Sequence, residues 1–135
     1  MTVAEPAAWS DPRSATADPT GLAKISLDIL LSKANATLRE AIKLYTGTGA
    51  EPIVYQYYGA CIDVYIVSVV KLLPNASTDL GTGKFSEARG DVTQVVNYAE
   101  GCAQQFAGRS DPLVPWTTGV HDFGTVAADI IRSLG

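Results

Sequence analysis

The run Gly81-Thr82-Gly83-Lys84-Phe85 sets a lone ammonium between a glycine and an aromatic ring, and it is the stretch of this chain that most resembles a chemical loop. A phosphate-binding loop of this type needs a glycine at position 78 and a serine or threonine at 85, so that backbone N–H groups cradle the phosphate and a hydroxyl reaches the metal. Thr78 and Phe85 stand there instead, and no strand pattern precedes them. The other reactive residues are isolated. His121 is the sole histidine, so neither a two-histidine zinc site nor a histidine relay is available, and it reads as a surface residue near the start of a helix. Cys61 and Cys102 fall in apolar helical seams, where a nucleophilic thiolate would be shielded. Asp28, Asp63, Glu87 and Asp91 are spread along polar helix faces with no acid pair among them, and solvated charge accounts for them. These residues predict a non-enzyme with no catalytic residue, no metal site and no cofactor.

The elements that carry these residues are all helical. Asp18 is an N-cap and Pro19 occupies the first helical position, where a missing N–H costs nothing. From there Leu27, Leu31, Ala34, Leu38, Ala41 and Tyr45, widened by Leu30 and Ile42, recur in alternating steps of four and three and make one helix face. Gly47 and Gly49 interrupt the pattern and Pro52 opens a second helix, with Val54, Tyr58, Cys61, Tyr65, Ser68 and Leu72 on its seam and a kink expected at Pro74. A third helix begins near Phe85 and carries Ala88, Val92, Val95, Ala99, Cys102 and Phe106. A fourth, shorter segment carries Val120, Phe123, Ala127, Ile130 and Leu134. Short connections between amphipathic helices predict an all-α, antiparallel up-down-up-down four-helix bundle.

The cysteines bear on this arrangement. In an antiparallel pair, residues at equal height lie equally far from the turn, and the midpoint of Cys61 and Cys102 falls between Gly81 and Thr82. The second helix must then continue past Pro74 to about Leu80. Equal height is compatible with a disulfide across the core, worth about 4 kcal/mol by loop entropy, and also with two buried free thiols.

Composition limits the partners. A chain of 135 residues, 47% hydrophobic and 18% charged, suits one compact domain, here residues 18–135 preceded by an N-terminal arm over 1–17. Net charge is −4 and the ten basic residues are scattered, which argues against nucleic acid. No apolar run is expected to reach the roughly 18 residues of a membrane span, so no membrane partner is expected. The opening MTVAEPAAWSDPRS lacks the basic start and apolar stretch of a signal peptide.

The segments SDPRSATADPTGLAKISLDILLSKANATL, ACIDVYIVSVVKLL, NYAEGCAQQF and VHDFGTVAADIIRSL resemble the plant invertase and pectin methylesterase inhibitor family over residues 10–135. The resemblance implies a disulfide-bridged four-helix bundle, with Cys61 and Cys102 as the bridging pair, in proteins of the apoplast, cell wall or vacuole. It also implies a helical hairpin ahead of the bundle, with its own disulfide, which has no counterpart upstream of Ser10. Invertase inhibitors of this family carry a Pro-Lys-Phe motif between the second and third bundle helices; here Gly83, Lys84 and Phe85 match those positions, glycine replacing proline. That match favours acid invertase (beta-fructofuranosidase) as the partner, its sucrose site blocked by Lys84 with Phe85 as the apolar anchor, the inhibitor acting as a monomer. The alternatives are a pectin methylesterase inhibitor that grips its target through helix faces, and a non-inhibitory helical binding or structural protein. Asn35 and Asn75 head two glycosylation tripeptides, Asn35-Ala-Thr37 and Asn75-Ala-Ser77.

Overall fold

The computed structural model describes residues 18–135, so the arm expected over 1–17 lies outside the described residues. Four helices follow in order: α1 (Pro19–Thr46), α2 (Pro52–Gly81), α3 (Phe85–Gln105) and α4 (Val114–Arg132). Among the described residues there is no strand. Each helix packs on its neighbour in sequence and α1 closes on α4, which is the antiparallel square predicted from the short connections. Asp18 caps α1 as expected, its carboxylate accepting the Gly21 N–H at 2.7 Å.

The apolar seams decide which face of each helix turns inward. On α3 the predicted set, Ala88, Val92, Val95, Ala99, Cys102 and Phe106, is buried throughout. On α1 the buried line is Ala23, Leu27, Leu30, Ala34, Thr37 and Ala41, rotated from the predicted one. Leu31 and Leu38 sit half-buried at its edge, and Ile42 and Tyr45 are exposed. The displaced position is Thr37, whose hydroxyl donates to the Lys33 carbonyl at 2.8 Å within its own helix. A threonine satisfied this way can occupy a core position that apolar periodicity assigns to leucine. On α4 the seam ends at Ile131, with Ile130 half-buried.

The long α2 contains a π-helical turn at Ser68–Leu72, closed by a bond from the Leu73 N–H to the Ser68 carbonyl, five residues back. Pro74 follows at once; it has no N–H to give to Val70, and its ring would crowd that carbonyl in a regular helix. The extra residue absorbs this misfit. It also moves the seam, which runs Val54, Tyr58, Cys61, Tyr65, Ser68 and then Leu73, Ala76 and Leu80. The expected Leu72 is therefore displaced by its neighbour. The helix nevertheless continues to Gly81, as the height of the cysteines required.

The expectation that no apolar run reaches the length of a membrane span is not met. By length and composition α2 is apolar enough to cross a membrane, because Asp63 and Lys71 are the only charges between Pro52 and Thr78. Its inward face belongs to the bundle core, and its outward face leaves Ile66, Val67 and Val70 exposed.

Cys61 and Cys102 are joined, with Cα atoms 5.2 Å apart, so the free-thiol alternative falls. The bridge ties the first third of α2 to the last turn of α3. Above it, Tyr65 is pushed up to about pKa 12 by burial, which outweighs its bond to Thr117; the Thr117 hydroxyl also donates to the Ala99 carbonyl at 3.1 Å. Below it, the Tyr58 hydroxyl donates to Asp111 at 2.6 Å, and that carboxylate accepts the Leu113 N–H at 2.9 Å. The connection into α4 is thus pinned to α2.

Replacing both cysteines by serine is expected to lower stability by about 4 kcal/mol, read from urea unfolding of the oxidised protein beside the variant. A loss near zero would mean that the bridge restrains nothing in the unfolded chain.

Candidate functional site

The turn between α2 and α3 is three residues long, Thr82, Gly83 and Lys84, and all three are exposed. Its geometry follows from how α2 ends. Gly83 adopts φ +79°, its N–H donates to the Leu80 carbonyl at 3.2 Å, and the Lys84 N–H donates to the Asp79 carbonyl at 2.8 Å. This crossed pair of bonds around a left-handed residue is a Schellman motif, which terminates a helix by satisfying its last carbonyls. Glycine takes that conformation without steric cost. Proline can take neither the positive φ nor the donor role. The glycine standing where the resembled motif has proline thus belongs to a backbone fixed by hydrogen bonds.

Lys84 is the N-cap residue of α3, with its carbonyl accepting the Ala88 N–H at 3.0 Å. A lysine side chain has no acceptor with which to cap a helix. Its charge sits between the negative end of α2 and the positive end of α3, so helix dipoles neither favour nor oppose it strongly. The side chain is held out at the tip of a rigid turn. Phe85 takes a different direction. It is half-buried against the core, in a small cleft with Ser86, Arg89, Ile131, Arg132 and Gly135, and a Cβ on Gly135 would lie 3.2 Å from its ring. The three predicted residues are consecutive, but only Gly83 and Lys84 are free at the surface.

The cleft beside the turn holds what the sequence did not reveal. Asn75, Thr78 and Asp79 of α2 face Glu87, Gly90 and Asp91 of α3, and the Asp91 carboxyl lies within hydrogen-bonding reach of Asp79. Partial burial first, then the Asp79 charge and the hydrogen bond to it, hold the Asp91 carboxyl above the usual range, against an opposing pull from Lys71. The expectation of no acid pair is corrected here: each residue lies on a helix edge, and only the folded pairing of α2 with α3 brings them together. Among the described residues no cluster of three metal-ligating side chains is suited to a metal ion.

His121 lies well inside α4, half-exposed, with Nδ1 3.0 Å from Asp122. Asn75 is exposed on α2, whereas Asn35 is half-buried inside α1 and the Thr37 of its tripeptide is buried. A separate groove of about 340 Å³ between α1 and α4 is lined by Ser32, Lys33, Ala36, Trp116 and Gly119 among others.

No family model matches the sequence, and no curated protein matches it as a relative. Solved structures do share its fold. The crystal structure of a pectin methylesterase inhibitor from Arabidopsis thaliana superposes with a TM-score of 0.81 at 23% identity, covering 90% of this chain and 81% of that one. A mutant form of a pectin methylesterase inhibitor from Arabidopsis gives 0.82 at 19% identity, covering 100% of this chain and 99% of the other. At these identities the likeness establishes the bundle fold.

The turn separates two kinds of residue by their cost on substitution. Gly83→Ala should destabilise by about 1 kcal/mol through the left-handed backbone, and Gly83→Pro by more. Lys84→Ala should stay within about 0.5 kcal/mol of the parent. Urea midpoints of the three variants check this; a Lys84→Ala loss as large as that of Gly83→Ala would make the lysine a structural residue.

Proposed function

We propose that this chain is a proteinaceous inhibitor of a pectin methylesterase, acting by docking its helical surface onto the enzyme and performing no chemistry itself. The observation that supports the reading is the correspondence of its bundle with the structures of a pectin methylesterase inhibitor and of a mutant form of one, the latter over nearly the whole of both chains. The surface of α2 supports it. Ile66, Val67 and Val70 are exposed along an outward face whose only nearby charges on that helix are Asp63 and Lys71, and Val70 is 71% accessible. Apolar side chains grouped on a helix face suit a protein interface with a polar rim. A disulfide-stabilised bundle suits an oxidising setting such as the cell wall or vacuole.

A second reading, inhibition of an acid invertase, is favoured by one specific observation: Lys84 projects from a hydrogen-bonded turn, so that little backbone ordering is needed for its ammonium to enter an acidic pocket. The two readings place the binding energy on different residues.

Inhibition of a purified pectin methylesterase and a purified acid invertase by the oxidised protein distinguishes them. The proposal expects pectin methylesterase to be inhibited, Val70→Lys to weaken that inhibition by about tenfold or more, and Lys84→Ala to leave it nearly unchanged. Inhibition of invertase alone, lost in Lys84→Ala, would replace the first reading with the second. Inhibition of neither enzyme would remove both.

A further inference from the structure

The first turns of α4 lie against the middle of α1, and the packing between them is thin. Ala36 of α1 and Gly119 of α4 line the seam, and a Cβ on Gly119 would meet nothing within 4 Å beyond its own helix backbone. Gly124 contrasts with it, since a Cβ there would lie 2.6 Å from Val96. A glycine inside a helix costs stability relative to alanine, and at 119 no close approach requires one. The result is an open groove of about 340 Å³, with the buried Thr37 and Val120 in its lining and the indole of Trp116, 44% accessible, at its edge. That volume is at the lower end of the roughly 300 to 1,000 Å³ typical of small-molecule sites.

The groove carries one charge, and it is positive. Lys33 is half-buried, is the only charged residue in the lining, and makes no ion pair among the described residues. Its ammonium lies 5.5 Å from the centre of the Phe123 ring, so its company is the face of an aromatic side chain. The first turn of α4, which forms one wall, holds no acidic residue to oppose an incoming anion. In a chain of net charge −4 this is a local reversal of sign. We propose that the α1–α4 groove binds a small, flat organic carboxylate, its charged group on Lys33 and its ring system against Trp116 and the bare backbone at Gly119.

Each part of the ligand is set by a different part of the lining. A carboxylate gives Lys33 a charge-assisted hydrogen bond, and the Ser32 hydroxyl can donate a second one. The Thr37 hydroxyl is already spent on the Lys33 carbonyl at 2.8 Å, so the deeper part of the groove asks for apolar atoms. An exposed indole favours an aromatic ring that can stack on it or meet it edge to face. One ammonium suits a single negative charge, whereas phosphate recognition draws on bidentate arginines or several backbone N–H groups. No residue of α2 or of the turn carrying Lys84 lines the groove, so this binding is separate from the inhibition of either enzyme.

The test is an NMR titration of the whole oxidised chain with 2-naphthoate and, beside it, the uncharged 2-naphthamide. Naphthoate should shift the amides of residues 32–37 and 116–120 and the Trp116 indole N–H saturably, with a Kd of about 1 mM or lower, and naphthamide should bind about tenfold more weakly. Lys33→Met keeps the apolar stem and should bring naphthoate down to the level of the amide. Gly119→Leu fills the groove and should abolish binding of both probes. Leucine is the better helix former, so a urea midpoint at or above that of the parent shows that this loss is not unfolding. Equal affinity for acid and amide, shifts centred elsewhere on the bundle, binding that survives Gly119→Leu, or no saturable shift at all would each overturn the proposal.

Discussion

Everything at the exposed end of this bundle depends on α2 keeping its apolar seam against the core on both sides of Pro74. A regular helix would set the proline ring against the preceding turn, and any simple break would end the helix well before Gly81. The π-helical turn at Ser68–Leu72 resolves this with one extra residue, so that Leu73, Ala76 and Leu80 resume the burial begun by Val54, Tyr58, Cys61 and Tyr65. The disulfide then fixes α2 and α3 in height. With both helices in register, the chain can reverse in three residues, and the Schellman bonds determine where Lys84 points.

This arrangement divides the molecule by purpose. The middle of the bundle is occupied by aromatic and aliphatic side chains with their polar atoms satisfied, as at Tyr65, Thr117 and the Ala99 carbonyl. The turn and the outward face of α2 contribute little to that core. The Lys84 side chain makes no cap bond to α3 and no ion pair among the described residues, and Val70 is among the most exposed large apolar residues. Such residues cost little to the fold and are free to serve recognition. Phe85 does not belong with them, because its ring is spent partly on packing against the end of α4.

Much of the fold was legible because helix periodicity and turn chemistry act locally. The α3 seam, the Asp18 cap, the opening prolines and the common height of the cysteines could all be read from spacing. The misses are tertiary. Thr37 replaces a leucine in the α1 seam because its hydroxyl is satisfied by its own helix, a compensation that apolar counting overlooks. The shift from Leu72 to Leu73 requires an irregular turn that no single residue announces, although Pro74 was the signal for it. Gly124 permits a close approach of α4, since a Cβ there would lie 2.6 Å from Val96, and no local pattern distinguishes it from the other glycines. At the candidate site, the dipeptide Lys84-Phe85 could be picked out from its position, but the burial of Phe85 against the end of α4 and the facing of Asp79 and Asp91 arise only from helix packing.

The central claim is that the helical surface, with the outward face of α2 at its centre, is what meets the target. Hydrogen-exchange footprinting of the oxidised protein with and without a pectin methylesterase tests this most directly. The account predicts added protection along α2 around Ile66 to Val70, extending onto a neighbouring helix. Protection confined to residues 82–85, or none anywhere in the bundle, would contradict it.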